Sequence, residues 1–277
     1  MSDLGRVELL KIVGLLEERH GVGIRGQDLP LWLEERLKQA VEALLSARKL
    51  DVPSLLAALE REAELVVELA NALRVGETRF YRDAAQWEAL RSNVIPQLCS
   101  SREDSQSLVG LSAGCSTGEE AWTLAMLFGE ALGRGAGGRQ RARVLGVDRS
   151  EAALVVARAA TYDQGSGQQL PSDLARRFLQ PAIDGSARVS AALMPMVSFQ
   201  VRDLTRGVPP GRYAIIVCKN VLIYFGDEAQ ERLAAELMRS LTDDGVLLVA
   251  RSEVPIVRAL GARAVEIAPG ITAFKSN

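Results

Sequence analysis

Strand and helix patterns alternate from residue 108 onward. They predict an α/β protein built on a mostly parallel sheet with an antiparallel last strand. Three observations carry this. The runs 108–113, 142–148 and 213–218 are almost wholly apolar, as strands covered by helices on both faces must be. The first run leads into Gly114-Cys115-Ser116-Thr117-Gly118-Glu119-Glu120, a small-residue loop opening a helix. Residues 4 to about 70 carry helical periodicity alone. The expected organisation is a helical domain over 1–72, a linker and helix over 73–106, and the sheet domain over 107–277.

Hydrophobic residues make up 48% of the 277 and charged residues 25%, with a net charge of −2. That is the composition of an ordinary globular protein, and it argues against bulk nucleic-acid or membrane binding. No apolar run reaches the ~20 residues of a membrane span, and the N-terminus lacks a signal-peptide pattern. Cys99, Cys115 and Cys218 are scattered without metal-ligand spacing, so a reduced, cytoplasmic protein with no metal site is expected. The single histidine, His20, lies in the helical region, which argues against histidine-based catalysis.

Leu9, Ile12, Val13 and Leu16 share one helical face, and Gly21 and Gly23 end that helix. A second helix is expected over about 30–47, with Pro30 in its first turn. Leu33, Leu37, Val41, Leu44 and Leu45 would face inward, and Arg36, Lys38 and Arg48 outward. Asp51-Val52-Pro53-Ser54 starts a third helix, and a fourth spans about 60–70. The stretch 73–83 sets Phe80 and Tyr81 between Arg79 and Arg82 and reads as a link that positions a charge. A helix over 84–98, closed by Pro96, precedes a polar connector over 100–107.

In the core, a helix with Leu124, Leu127 and Phe128 follows the glycine loop, then a connector with Gly133, Gly135, Gly137 and Gly138. The strand 142–148 ends on Asp148, and Ser150 caps a helix over 151–160. Residues 164–196, broken by Pro171, Pro181 and Pro195, predict an inserted β-subdomain with a helix at 172–179 and a short strand at 187–190. Strands over 197–204 and 213–218 follow. Asp227 and Gln230 have capping-box spacing before a helix burying Leu233, Leu237 and Leu241. Asp243-Asp244-Gly245 predicts a turn, 246–250 a strand, and Pro269-Gly270 the turn of a closing hairpin.

Ligands bind parallel sheets at the carboxyl ends of their strands, here Gly114 to Glu120, Asp148, Asp203-Leu204 and 218–224. Gly114 and Gly118 offer unusual backbone angles or room for close approach. Ser116 and Thr117 can cap the next helix. Phosphate loops avoid carboxylates, whereas this one carries two; they suit a cationic ligand or simply the positive end of the helix dipole. The spacing is not G-x-G-x-x-G, and a Walker lysine is missing. S-adenosylmethionine fits better, with an ammonium and sulfonium for Glu120, a ribose for Asp148 and an adenine near Asp203-Leu204. For Asp148 the alternative is capping of the next helix.

Five blocks in order are Val75 to Asp83, Ser112 to Glu120, Asp148 with Ala157-Arg158 and Tyr162, Cys218 to Phe225, and Arg251-Ser252-Glu253. Together they resemble the CheR family of S-adenosylmethionine-dependent chemoreceptor glutamate O-methyltransferases, from about residue 10 to the end. The resemblance implies a Rossmann-like methyltransferase sheet with an N-terminal helical domain and a small inserted β-subdomain. It implies a cofactor site lined by Thr78, Arg82, Glu120, Asp148, Asp203, Leu204, Cys218 and Lys219, with Ala113, Gly114 and Asn220 from the same blocks. It also implies that Arg82 and Tyr224 face the reacting carboxylate, and that the basic helix around Arg36, Lys38 and Arg48 approaches the receptor. The chain departs from the family pattern in several places. Lys219 stands where arginine is usual, Ala121-Trp122 where Pro-Tyr is, Ala250-Arg251 where Gly-His is, and Asp203 and Gly76 where asparagines are common.

The implied reaction moves a methyl group from S-adenosylmethionine to a chemoreceptor glutamate, leaving S-adenosylhomocysteine. A carboxylate with a pKa near ~4.3 is already ionised and needs no general base. Arg82 would pair with it; a salt bridge to Glu77 or Asp83 is the alternative. Tyr224 would orient it, or serve as a core aromatic. The expected partner is the cytoplasmic helical region of methyl-accepting chemoreceptors, with no nucleic acid and no membrane insertion, and the chain is expected to be a monomer. The departures at Lys219 and Arg251 leave a second reading, a scaffold or regulatory protein that binds S-adenosylmethionine or S-adenosylhomocysteine with weak or no transfer.

Overall fold

The computed structural model describes residues 5–20, 31–72, 78–102, 107–134, 141–182 and 185–276. Gly21, Gly23, Pro30, residues 75–77, part of the 100–107 connector, Gly135, Gly137 and Gly138 lie outside the described residues, as do the side chains of His20, Leu33 and Arg36. Contacts divide the chain into two units. One comprises Met1–Gly76 with Val221–Arg232, the other Glu77–Asn220 with Leu233–Asn277.

The first unit holds α1 (Arg6–His20), α2 (Leu31–Arg48), α3 (Val52–Arg61) and α4 (Ala63–Ala72). Leu9, Ile12 and Leu16 pack with Leu37 and Val41, with Leu55 and Leu59, and with Leu65 and Leu69. These are the apolar positions that helical spacing selects. Asp51 caps α3, its carboxylate accepting the Ser54 N–H at 2.9 Å. The expected fourth helix begins later, because α3 runs to Arg61 and extended Glu62 ends it. Arg48 pairs with Glu62 (3.4 Å) and Glu68 (2.8 Å), and Lys38 with Glu34 (3.1 Å). Two of the three expected outward cations thus hold carboxylates of their own unit.

The second unit opens with α5 (Ala84–Ala89), a π turn (Leu90–Val94) and α6 (Ile95–Ser100). Pro96 does not close this helix, as expected from its type, but sits in the first turn of α6. Proline has no N–H to donate and crowds the preceding turn, and the wider π turn ahead of it relieves both problems. There follow β1 (Leu108–Ala113), α7 (Glu119–Arg134), β2 (Ala142–Asp148), α8 (Glu151–Ala159), β3 (Thr161–Asp163), α9 (Ser172–Phe178), β4 (Leu179–Pro181), β5 (Ser186–Val189), β6 (Val197–Val201) and β7 (Tyr213–Cys218). Then come α10 (Asp227–Arg239), whose residues up to Arg232 fall in the first unit, and β8 (Leu241–Val249), α11 (Val254–Ala259), β9 (Arg263–Ala268) and β10 (Ile271–Lys275). Seven strands form one sheet in the order β6-β2-β1-β7-β8-β10-β9. The first five are parallel, and β10 runs antiparallel between β8 and β9. Every residue of β7 is buried, as its unbroken apolar run predicts. A separate antiparallel sheet, β3-β5-β4, fills the stretch where the alternation failed.

Four local expectations are corrected. Asp243-Asp244-Gly245 lies inside β8, where the pairing with β7 shifts between Tyr213 and Ile215; Thr242 Oγ1 bonds the Asp244 carboxylate at 2.7 Å there. Asp227 is already helical, and the Gln230 amide donates to the Leu222 carbonyl at 2.9 Å. β6 stops at Val201 because Asp203 turns the chain, and the helix α11 was not anticipated from spacing. No described helix is long and apolar enough to cross a membrane.

Candidate active site

From β1 the chain builds outward through β2 to β6, then returns to place β7 on the other flank of β1. Between β1 and β7 lies the switch point at which open α/β sheets hold their ligands. The glycine loop follows β1 and Lys219-Asn220 follows β7, so the two face each other across it.

The loop needs its glycines for backbone reasons. Gly114 has φ +80° and Gly118 φ +95°, and a Cβ on Gly118 would lie 2.7 Å from the Ala157 Cβ of α8. The N–H groups of Gly114 and Cys115 donate to the Val147 carbonyl at 2.8 and 2.9 Å. Asp148, 1% exposed, binds the loop from the next strand. One of its oxygens accepts the Ser116 N–H and the other the Ser150 N–H, each at 2.9 Å. Ser150 caps α8 as expected. The Arg202 N–H donates to the Asp148 carbonyl at 2.9 Å, which sets Asp203 and buried Leu204 beside it. The Asp203 carboxylate accepts both the N–H and the hydroxyl of Thr205.

The two loop glutamates differ. Glu119 is 4% exposed and accepts the Thr117 hydroxyl at 2.7 Å. Thr78 bonds it too, and burial pushes its pKa up despite these bonds. Thr117 therefore serves Glu119 rather than a simple helix cap. Glu120 is half-buried and accepts the Ser112 hydroxyl at 2.8 Å. Burial pushes its pKa up to about 7; Lys219, Ser112 and Arg82 oppose that, and Glu253 reinforces it. A carboxyl poised near neutrality, on a loop without Lys or Arg, suits an ammonium and repels a phosphate. Ala113 and Gly114 lead into this loop from the end of β1.

Across the switch point stands Lys219, its side chain 3% exposed. Its Nζ donates to the Arg82 carbonyl at 2.5 Å, pairs with Asp83 at 2.9 Å and sits 5.3 Å over the Trp87 ring. These contacts pin the turn that carries Arg82. Asp83 pairs with Lys219. Asn220 adopts φ +57°, and its N–H donates to Glu253 at 3.0 Å. Tyr81, Asp83, Ser116 and Asn220 account for four of the six non-glycine residues with positive φ among the described residues. Such backbone strain gathers at functional sites. Burial, then Glu253 and Glu120, drives the Cys218 thiol far up, so it stays protonated.

Tyr224 ends a 3₁₀ turn (Leu222–Tyr224) in the first unit. Within the second unit, Asp148 binds the glycine loop at Ser116, Lys219 holds the Arg82 carbonyl, and both cations act on Glu120, while Thr78 bonds the neighbouring Glu119. Sequence reasoning gave no role to Gln86 or Glu253, although the Arg251-Ser252-Glu253 block had marked the latter.

Residues 76–258 match the family described as CheR methyltransferase, SAM binding domain. The chemotaxis protein methyltransferase of Vibrio parahaemolyticus is 29% identical over 195 residues, 70% of each chain. That of Listeria monocytogenes is 27% identical over 230 residues, 82% of this chain and 84% of the relative. A 104.1 kDa protein of Rhodobacter capsulatus is 28% identical over 218 residues, which is 78% of this chain and 23% of that protein. With an α/β sheet, an acidic loop at its switch point and a family match across the whole site, this chain belongs to the CheR family of S-adenosylmethionine-dependent methyltransferases.

Proposed function

We propose that this methyltransferase esterifies glutamate side chains of chemoreceptors, giving γ-glutamyl methyl esters and S-adenosylhomocysteine. The observation that carries the reading is the pinned Arg82 turn, held at its carbonyl by Lys219 beside the Glu120 end of the crevice. The names of the relatives, chemotaxis protein methyltransferases, support the same substrate class.

Bound in the crevice, S-adenosylmethionine supplies an electrophilic methyl group on a sulfonium. Glu120 would hold its methionine ammonium, and Asp148 its ribose hydroxyls. Thr78, Ala113, Gly114, Asp203, Leu204, Cys218 and Asn220 would line the rest. The acceptor glutamate is ionised near neutral pH, so no base has to remove a proton. Arg82 would take it through two parallel N–H bonds, and Tyr224 would set its angle. Placement is the main contribution of these groups, since a misdirected carboxylate loses most of its rate. The partner would be the cytoplasmic helical region of a receptor approaching the α2 side of the 1–72 segment, with the methyltransferase acting in the cytoplasm as a monomer. Lys38 and Arg48 are already paired there, which leaves them less able to attract an acidic partner.

Incubation of the full chain with methyl-labelled cofactor and a receptor cytoplasmic fragment should give base-labile label on the fragment. Cofactor binding by calorimetry without any label would replace the transferase reading with that of a binding scaffold.

A further inference from the structure

The carboxyl ends of β7 and β8 are joined to the start of α5 by a closed ring of polar contacts. Gln86 of α5 donates its amide to the Val249 carbonyl at 2.8 Å. One residue on, the Ala250 N–H donates to Glu253 Oε2 at 2.9 Å. The same oxygen accepts the Asn220 N–H at 3.0 Å. Lys219 then returns to Arg82 and Asp83, just ahead of α5. The backbones of both strand ends meet at Glu253, whose exposure is 0%. Burying a carboxylate is costly, and an amide oxygen could accept the same two N–H groups. What glutamate adds is charge. It faces Glu120 among the cations Lys219 and Arg82, with Asp83 tied to Lys219 and Cys218 held as a thiol.

We propose that Glu253 is a positioning residue for cofactor recognition: its two backbone bonds fix the Lys219-Asn220 turn, and its charge beside Glu120 sets the pH range over which that end of the crevice takes a cation. Asn220 holds φ +57° with its N–H committed to this carboxylate. Without that bond the turn has reason to relax, and with it the Lys219 hold on Arg82. The proposal rests on the cofactor site described above, and its test reads binding rather than methyl transfer.

The full chain, Glu253→Gln and Glu253→Ala are titrated with S-adenosylhomocysteine by calorimetry between pH 5.5 and 7.5, and melted without ligand. Glu253→Gln should bind within about threefold of wild type at pH 7.5, with the midpoint of its pH dependence lowered by about half a pH unit or more. Glu253→Ala should bind at least about tenfold more weakly while still melting cooperatively, because two buried donors lose their acceptor. An unmoved midpoint in Glu253→Gln, or wild-type affinity in folded Glu253→Ala, overturns the proposal. If Glu253→Ala fails to fold, the midpoint of Glu253→Gln decides alone. Absence of label on the receptor fragment from wild type would sink the glutamate reading and leave this one standing.

Discussion

Acidification from pH 7.5 to 6 should weaken S-adenosylhomocysteine binding by roughly eightfold. The perturbed group is Glu120, whose carboxyl burial holds at a pKa of about 7. Only its ionised form pairs with the ligand ammonium. With that pKa, the ionised fraction falls from about three-quarters at pH 7.5 to about one-tenth at pH 6. The upper limit of the window keeps the ligand amino group charged. Calorimetry at pH 7 in two buffers of different ionisation enthalpy should show about half a proton released per ligand bound. Glu120→Gln should flatten the profile and bind more weakly at pH 7.5. The stability consequence runs the opposite way. The folded pKa lies above the ordinary value of 4.5, so the unfolded chain loses this proton first and stability falls as pH rises from about 4.5 to about 7. The full shift corresponds to a penalty on the order of 3 kcal/mol, and partial exposure of the side chain reduces it. Glu120→Gln should therefore melt higher than wild type at pH 7.5 while binding less. Affinity constant within twofold across the window, with no proton release, would refute the assignment of Glu120 as the ammonium acceptor.

Arg82→Ala should lower methyl transfer to a receptor fragment by about 10²-fold or more, and Arg82→Lys should recover only part, because the planar fork is lost. Near-normal rates in Arg82→Ala would remove Arg82 from the mechanism. Lys219→Met strips the Arg82 carbonyl and Asp83 of their donor and should cost about 1–3 kcal/mol in chemical denaturation, with Lys219→Arg milder. Gly118→Ala combines a positive φ with a 2.7 Å approach to Ala157. It should lower stability by about 1–3 kcal/mol, read by thermal melting.

Where local chemistry decides alone, the sequence was readable. The apolar runs of β1, β2 and β7, the Asp51 cap of α3 and the Pro269-Gly270 hairpin appear as expected. The misreadings arise where another interaction overrode the local signal. Asp243-Asp244-Gly245 has turn chemistry, yet β7 continues alongside and absorbs it as an irregularity within β8. Pro96 has breaker chemistry, yet the π turn before it lets the helix continue. Asp227 and Gln230 have cap spacing, but Gln230 spends its amide on Leu222.

The candidate site was legible as a set of motif positions, and less so as a set of contacts. Motif position located Glu120, Asp148 and Lys219, but spacing says nothing of what a side chain finally touches. Lys219 shows the difference most clearly. As a motif member it is one more cation for the crevice. In the fold its ammonium lies against a backbone carbonyl, a carboxylate and an indole face, all within α5 or the turn preceding it. A compact, strongly hydrated ammonium is a poor match for bidentate recognition and a good one for gathering three dissimilar acceptors. Arg82 gains from this hold. Its main chain is held by Lys219, and its guanidinium contributes to the field around Glu120. An arginine held at its backbone can turn a fork toward an incoming carboxylate without first ordering the chain that carries it, which lowers the entropic cost of alignment. On this view lysine at position 219 serves the acceptor side of the reaction through Arg82 as well as the turn beside the cofactor. Its replacement should raise KM for the receptor fragment as well as weaken cofactor affinity.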